Sequence, residues 1–154
     1  MQKCFAFLLA ATAVWAGLAP VHAGVLISGA YYEDTAYATC PTTSSPFCHL
    51  MFSATPVGKF LTITNVNCNV MRSAPHYRLV LGISTSTAPS ANRAIPLPIT
   101  AGSSVNLSGA YVNAFAEEVR ILVGPNRYPF IFSEARASSI GTIECTITGT
   151  LTNQ

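Results

Sequence analysis

The chain has 154 residues, half of them hydrophobic, with eight basic and six acidic side chains and a formal net charge of +2. Charges this few and this scattered argue against a nucleic-acid surface or an acidic-membrane surface, which both need a concentrated basic patch. The polar exterior must then come from Ser, Thr and Asn, and such a surface resists association only weakly.

Met1-Gln2-Lys3 gives a short positive start, and Cys4 to Leu18 is almost wholly apolar. Ala19-Pro20 breaks that run, and Val21-His22-Ala23 offers a small-x-small cleavage pattern. This is the pattern of a secretory signal peptide over residues 1–23, and its alanine-rich core has a bacterial look. The apolar run is too short to span a bilayer comfortably, and no later stretch is a candidate membrane span. No cysteine directly follows the cleavage site, where Gly24 stands, which argues against a lipid anchor. The expectation is therefore a secreted or periplasmic protein with one mature domain over residues 24–154.

Of five cysteines, Cys4 lies in the leader and Cys40, Cys48, Cys68 and Cys145 remain. An even number in an exported chain predicts two disulfides, with three possible pairings. Cys40–Cys48 and Cys68–Cys145 are the preferred pairs. The first closes a short loop holding Pro41 and Pro46, and the second joins two strand centres of matching phase. The spacing does not suit zinc, and thiols in an oxidising compartment pair instead.

In chain order, Gly24 to Tyr32 predicts a first strand containing Gly29, Glu33-Asp34 a turn, and Thr35 to Thr39 an extension into Cys40. His49 to Ala54 predicts a strand with Leu50 and Phe52 on one face. Pro56-Val57-Gly58 signals a turn. From Phe60 to Met71 the apolar phase switches, with Leu61 and Ile63 in one phase and Val66, Cys68 and Val70 in the other. One extra residue near Thr64-Asn65 would reconcile them, so a β-bulge or a break is expected there.

Ser73-Ala74-Pro75 turns the chain into a strand from His76 to Ile83. Ser84 to Arg93 is poor in apolar residues and predicts the loop most apt to move. Ile95, Leu97 and Ile99 alternate with Pro96 and Pro98, which places this piece at a sheet edge, since proline has no ladder donor. Ala101 to Ser104 predicts a turn and Val105 to Tyr111 a strand. Asn113 to Glu118 is ambiguous and has room for one helical turn. Val119 to Val123 and Tyr128 to Phe132 read as a hairpin around Gly124-Pro125-Asn126-Arg127. Thr142 to Leu151 holds a period of two most cleanly, with Ile143, Cys145, Ile147 and Leu151 on one face. Eight to ten short strands without a long helix predict an all-β fold. An antiparallel sandwich of Greek-key or jelly-roll type is preferred to a barrel.

The chemistry-bearing residues are few. After the leader there are two histidines, His49 and His76, and one aspartate, Asp34. No nucleophile motif supports a Ser-His-Asp set, and nothing fixes the separation of Glu117, Glu118 and Glu134 as paired carboxylates. His49, Met51, Met71 and His76 are soft ligands of the type that suits copper. Tyr31, Tyr32, Tyr111 and Tyr128, with Arg127, offer rings and a guanidinium suited to a sugar. Asn106-Leu107-Ser108 fits a glycosylation acceptor, a chance match in a bacterial chain.

The expected function is an exported, non-catalytic β-sandwich that acts by contact, with a glycan or an envelope protein as partner and no cofactor. One alternative is a fimbrial-type subunit assembled by strand exchange through Val25 to Tyr32. The other is a periplasmic copper-binding protein or hydrolase.

Overall fold

A computed structural model of the protein describes residues 22–40, 45–90, 92–97, 105–107 and 109–154. Ten strands form among them: β1 (His22–Ser28), β2 (Tyr31–Cys40), β3 (Phe47–Met51), β4 (Lys59–Arg72), β5 (His76–Ser84), β6 (Arg93–Leu97), β7 (Val105–Leu107), β8 (Ala110–Val123), β9 (Tyr128–Ala135) and β10 (Gly141–Asn153). They make two antiparallel sheets. The six-stranded sheet runs β1-β2-β10-β4-β8-β7 and the four-stranded sheet β3-β9-β5-β6. The two sheets pack face to face, as the alternation of apolar residues requires.

The clean alternation of β10 has its cause in its place. It lies between β2 and β4, and Ile143, Cys145 and Ile147 are wholly buried. They meet Leu50, Phe52, Leu61, Ile63, Val66, Val70, Leu81 and Ile131 in one continuous core. The opposite face is polar, where the Thr35 and Thr146 hydroxyls bond at 2.8 Å.

The phase switch in β4 is a bulge, as its sequence requires. Thr148 of β10 faces Asn65 and the next residue, Gly149, faces Ile63, so Thr64 is the extra residue. Leu61 and Ile63 before it and Val66, Cys68 and Val70 after it all point into the core. Gly149 makes the bulge possible, because a Cβ there would sit 2.2 Å from the Thr62 carbonyl oxygen.

Both expected disulfides form. Cys68 and Cys145 face each other directly across β4 and β10, with Cα atoms 4.1 Å apart, so this bond links neighbouring strands and does not cross the core. Cys40 ends β2 and Cys48 is the second residue of β3, and the two strands lie in different sheets, so the short-loop disulfide is the one that ties the sheets together.

Other expectations fail or fall outside the described residues. Glu33 and Asp34 do not turn. They lie mid-strand in β2, and the turn is Gly29-Ala30, with Gly29 at φ +59°. A glycine first in a two-residue loop is the type II′ hairpin turn, whose twist matches that of its strands. The segment Asn113 to Glu118 is not helical but part of the fourteen-residue strand β8. β8 and β9 do not form a hairpin: the turn at Pro125-Asn126 carries the chain from one sheet to the other. The Thr55 carbonyl accepts from Asn126 N at 3.0 Å, and Thr55 N donates to the Arg127 carbonyl at 2.9 Å, so this turn is braced by the loop after β3. The expected turn at 101–104 and the side chains of the Asn106-Leu107-Ser108 match lie outside the described residues, as does the proposed leader up to residue 21.

Candidate functional site

The soft-ligand set is dispersed. His49 and Met51 share the outer face of the four-stranded sheet, and the His49 ring lies 5.1 Å from that of Phe132. Burial against this neighbourhood lowers the His49 pKa. Met71 lies on the outer face of the six-stranded sheet, and His76 is buried between the sheets. No three His, Cys, Asp or Glu side chains gather as a metal group among the described residues.

The aromatic set is dispersed as well. Tyr32 is wholly buried, so it cannot stack on a ligand, and its hydroxyl donates to Asp34 Oδ2 at 3.4 Å. Burial first, and the Asp34 charge second, raise its pKa. Tyr31 is exposed on the outer face of the large sheet, where its hydroxyl donates to Glu33. That bond raises its pKa. Tyr111 begins β8 opposite Arg72, while Tyr128 begins β9 in the other sheet next to Arg127.

Asp34 does not meet either histidine. Its Oδ2 accepts from Ser53 N at 2.7 Å and so holds the loop after β3. Asp34 and Val66 both pair with Ile147, whereas His76 is placed by its bonds to the Val70 and Tyr111 backbone. The levels of Val66 and Val70 differ by four residues, roughly 13 Å along a strand. His49 lies outside the core altogether.

A buried cation was not among the expected features, yet Arg72 is wholly buried. Its Nε donates to Ser139 Oγ at 2.7 Å, and its Nη2 to the Ser139 and Pro46 carbonyls at 3.0 and 3.3 Å. All these partners are neutral. The guanidinium thus ties three segments at one end of the sandwich, and burial lowers its pKa. His76 is buried nearby, its pKa lowered first by burial and further by the Arg72 charge. The signal was present only in the phase of β4, which puts position 72 on the same face as Cys68 and Val70.

Outside this end, a groove of about 600 Å³ opens beside the last turn of β4, where Met71 and Ile140 are exposed next to Thr39 and Thr142. Its described walls are aliphatic, with hydroxyls at the rim.

The sheet edges differ more sharply from one another than the grooves do. Among the described residues, each sheet ends in two strands with one unpaired side. β7 has three residues, β3 has five, and β6 has five with Arg93 and Pro96 among them. β1 has seven, and Gly24 to Ser28 contains neither charge nor proline. β1 packs to any extent only on β2. Val25 and Ile27 share the inner face with Tyr32 and Asp34, yet the small sheet does not reach beneath them. They are 40% and 48% exposed, and Leu26 on the other face is 55% exposed.

The direction of the free backbone groups follows from the Gly29-Ala30 turn. Ser28 and Tyr31 flank it as a hydrogen-bonded pair, and antiparallel pairs alternate from there. Ile27 opposite Tyr32 and Val25 opposite Asp34 are therefore non-bonded pairs. Their N–H and C=O groups point away from β2, along the open edge.

Compared with protein-family models, with curated proteins and with solved structures, the chain matches none.

Proposed function

We propose that the protein is exported, loses residues 1–23, and acts by contact, taking up an extended strand along β1. The observation that carries this is the β1 edge, open among the described residues, whose segment Gly24 to Ser28 survives the cleavage and has neither the proline nor the side-chain charge that usually blocks pairing. Strand addition draws its affinity from main-chain hydrogen bonds and its selectivity from alternate side chains, and β1 offers both. The disulfide that ties the two sheets fits an oxidising compartment. Among the described residues no helix is long and apolar enough to cross a membrane.

A photo-crosslinking side chain placed at position 26 in the living host tests this, with position 77, exposed on the small sheet, as control. Adducts are expected at 26 and not at 77, and Val25→Pro, which removes an edge N–H, abolishes them. Equal labelling at both positions, or none at 26, refutes the reading. The same purified protein should begin at Gly24 and contain no titratable thiol.

A further inference from the structure

We infer that the strand taken up by β1 is the β1 of a second copy, paired antiparallel about a two-fold axis through Leu26. This rests on the reading of β1 as a docking edge and goes further by naming the occupant and its register.

The register follows from the backbone. Val25 and Ile27 present their N–H and C=O groups to the open side, as derived above from the turn. In an antiparallel pair centred on Leu26, Val25 of one copy faces Ile27 of the other, and Ile27 faces Val25. Both facing pairs then exchange main-chain bonds, because each supplies outward groups. Leu26 faces its own equivalent as a non-bonded pair, the kind in which side chains lie closest. A centre half a residue away would set outward groups against groups already bonded to β2, and a centre on Val25 or Ile27 would leave one outward residue facing position 23 or the Gly29 turn, so only the centre on Leu26 pairs both outward residues of each copy within Gly24 to Ser28.

The side chains agree with this register. Residues directly opposite in an antiparallel pair point to the same face. Val25 and Ile27 from both copies would meet on the inner face, which the small sheet leaves uncovered, and the two Leu26 side chains would meet on the outer face. No like charges face each other: the side chains of Gly24 to Ser28 are uncharged, and the α-ammonium that processing leaves on Gly24 would lie opposite Ser28 of the other copy. The pairing is isologous, so it closes at two copies and does not propagate. The two large sheets become one, with both small sheets on the same side.

The test uses the processed protein at physiological pH. Sedimentation should give a dimer that dissociates on dilution, and Leu26→Lys should raise the dissociation constant about a hundredfold, while the far-ultraviolet circular dichroism and both native disulfides are kept. Leu26→Cys should form a disulfide-linked dimer on oxidation, since the Cα atoms of a non-bonded pair stand within bridging distance. Val25→Cys should not, because the two copies of residue 25 lie on a diagonal beyond that distance. Crosslinking at 25 but not 26 overturns the register. A protein that stays monomeric at high micromolar concentration, with no dimer from Leu26→Cys, overturns the self-pairing. The outcome of the crosslinking in the host then separates the two proposals: an adduct of twice the chain's mass supports both, an adduct with a different chain sinks only this inference, and no adduct at 26 sinks the docking edge itself.

Discussion

β10 and β1 belong to the same sheet and carry similar aliphatic side chains, yet Ile147 is wholly buried and Ile27 is about half exposed. β10 is bonded on both sides and lies over the small sheet. β1 is bonded on one side, and the small sheet ends before reaching it. The difference teaches that an aliphatic strand becomes core or contact surface according to what lies beneath it, because burial is a property of the opposing layer. A six-stranded sheet on a four-stranded one must leave strands uncovered, and here β1 is uncovered, with neither proline nor a charged side chain in Gly24 to Ser28.

That contrast can be broken from the centre outward. Replacing Cys68 and Cys145 together by alanine should cost about 4.5 kcal/mol in denaturant unfolding, since the bond closes a loop of 77 residues. A loss below about 1 kcal/mol would mean that the centre of the sheet does not depend on this link. Ile147→Ala should cost about 3 kcal/mol by the same measurement, from lost transfer energy and the cavity left in a close-packed core. Gly149→Ala should cost about 2 kcal/mol, because the new methyl meets the Thr62 carbonyl at the bulge and β4 must shift.

A smaller effect sharpens the picture at the end of β4. The folded-state pKa of His76 lies below its ordinary 6.5, through burial and then the Arg72 charge. The unfolded chain therefore binds the proton first as pH falls. Stability contributed by the neutral ring is present above about pH 6.5, is lost as pH drops below it, and levels off under the folded-state pKa. Unfolding midpoints measured across this range should decline in the wild type and decline less in His76→Gln. Parallel profiles would show that His76 is not the group responsible.

At the margin, Ile27→Ala should cost only about 0.5 kcal/mol in a monomeric background such as Leu26→Lys, since half of that side chain is already in water. A cost matching that of Ile147→Ala would erase the distinction between the two strands.

The site was less legible than the fold. Position 26 stands among β-branched neighbours without a clear alternation, so the sequence indicated a strand but not which of its faces would be covered. The tyrosines and soft ligands illustrate the same limit. Residue type marked Tyr32 and His76 as chemically interesting, and the packing of the two sheets put both out of a ligand's reach. Asp34 was read as a turn residue because carboxylates are rare inside sheets, and the Ser53 amide that accommodates it is nineteen residues away.

Local pattern alone was sufficient for strands β4, β5, β9 and β10, the bulge at Thr64, the turn at Pro56 to Gly58, the edge position of the Pro96 strand and the pairing of the four cysteines. These depend on period two, on proline's missing donor and on which side of a strand each residue occupies, all written within a few residues. Tertiary structure decided which strands are neighbours, that the turn after β8 changes sheets, that Arg72 is buried with neutral partners, and that β1 is left open. A period of two tells a strand which of its faces is apolar, but the identity of the layer that covers that face, and where the layer stops, is set by segments far away in the chain.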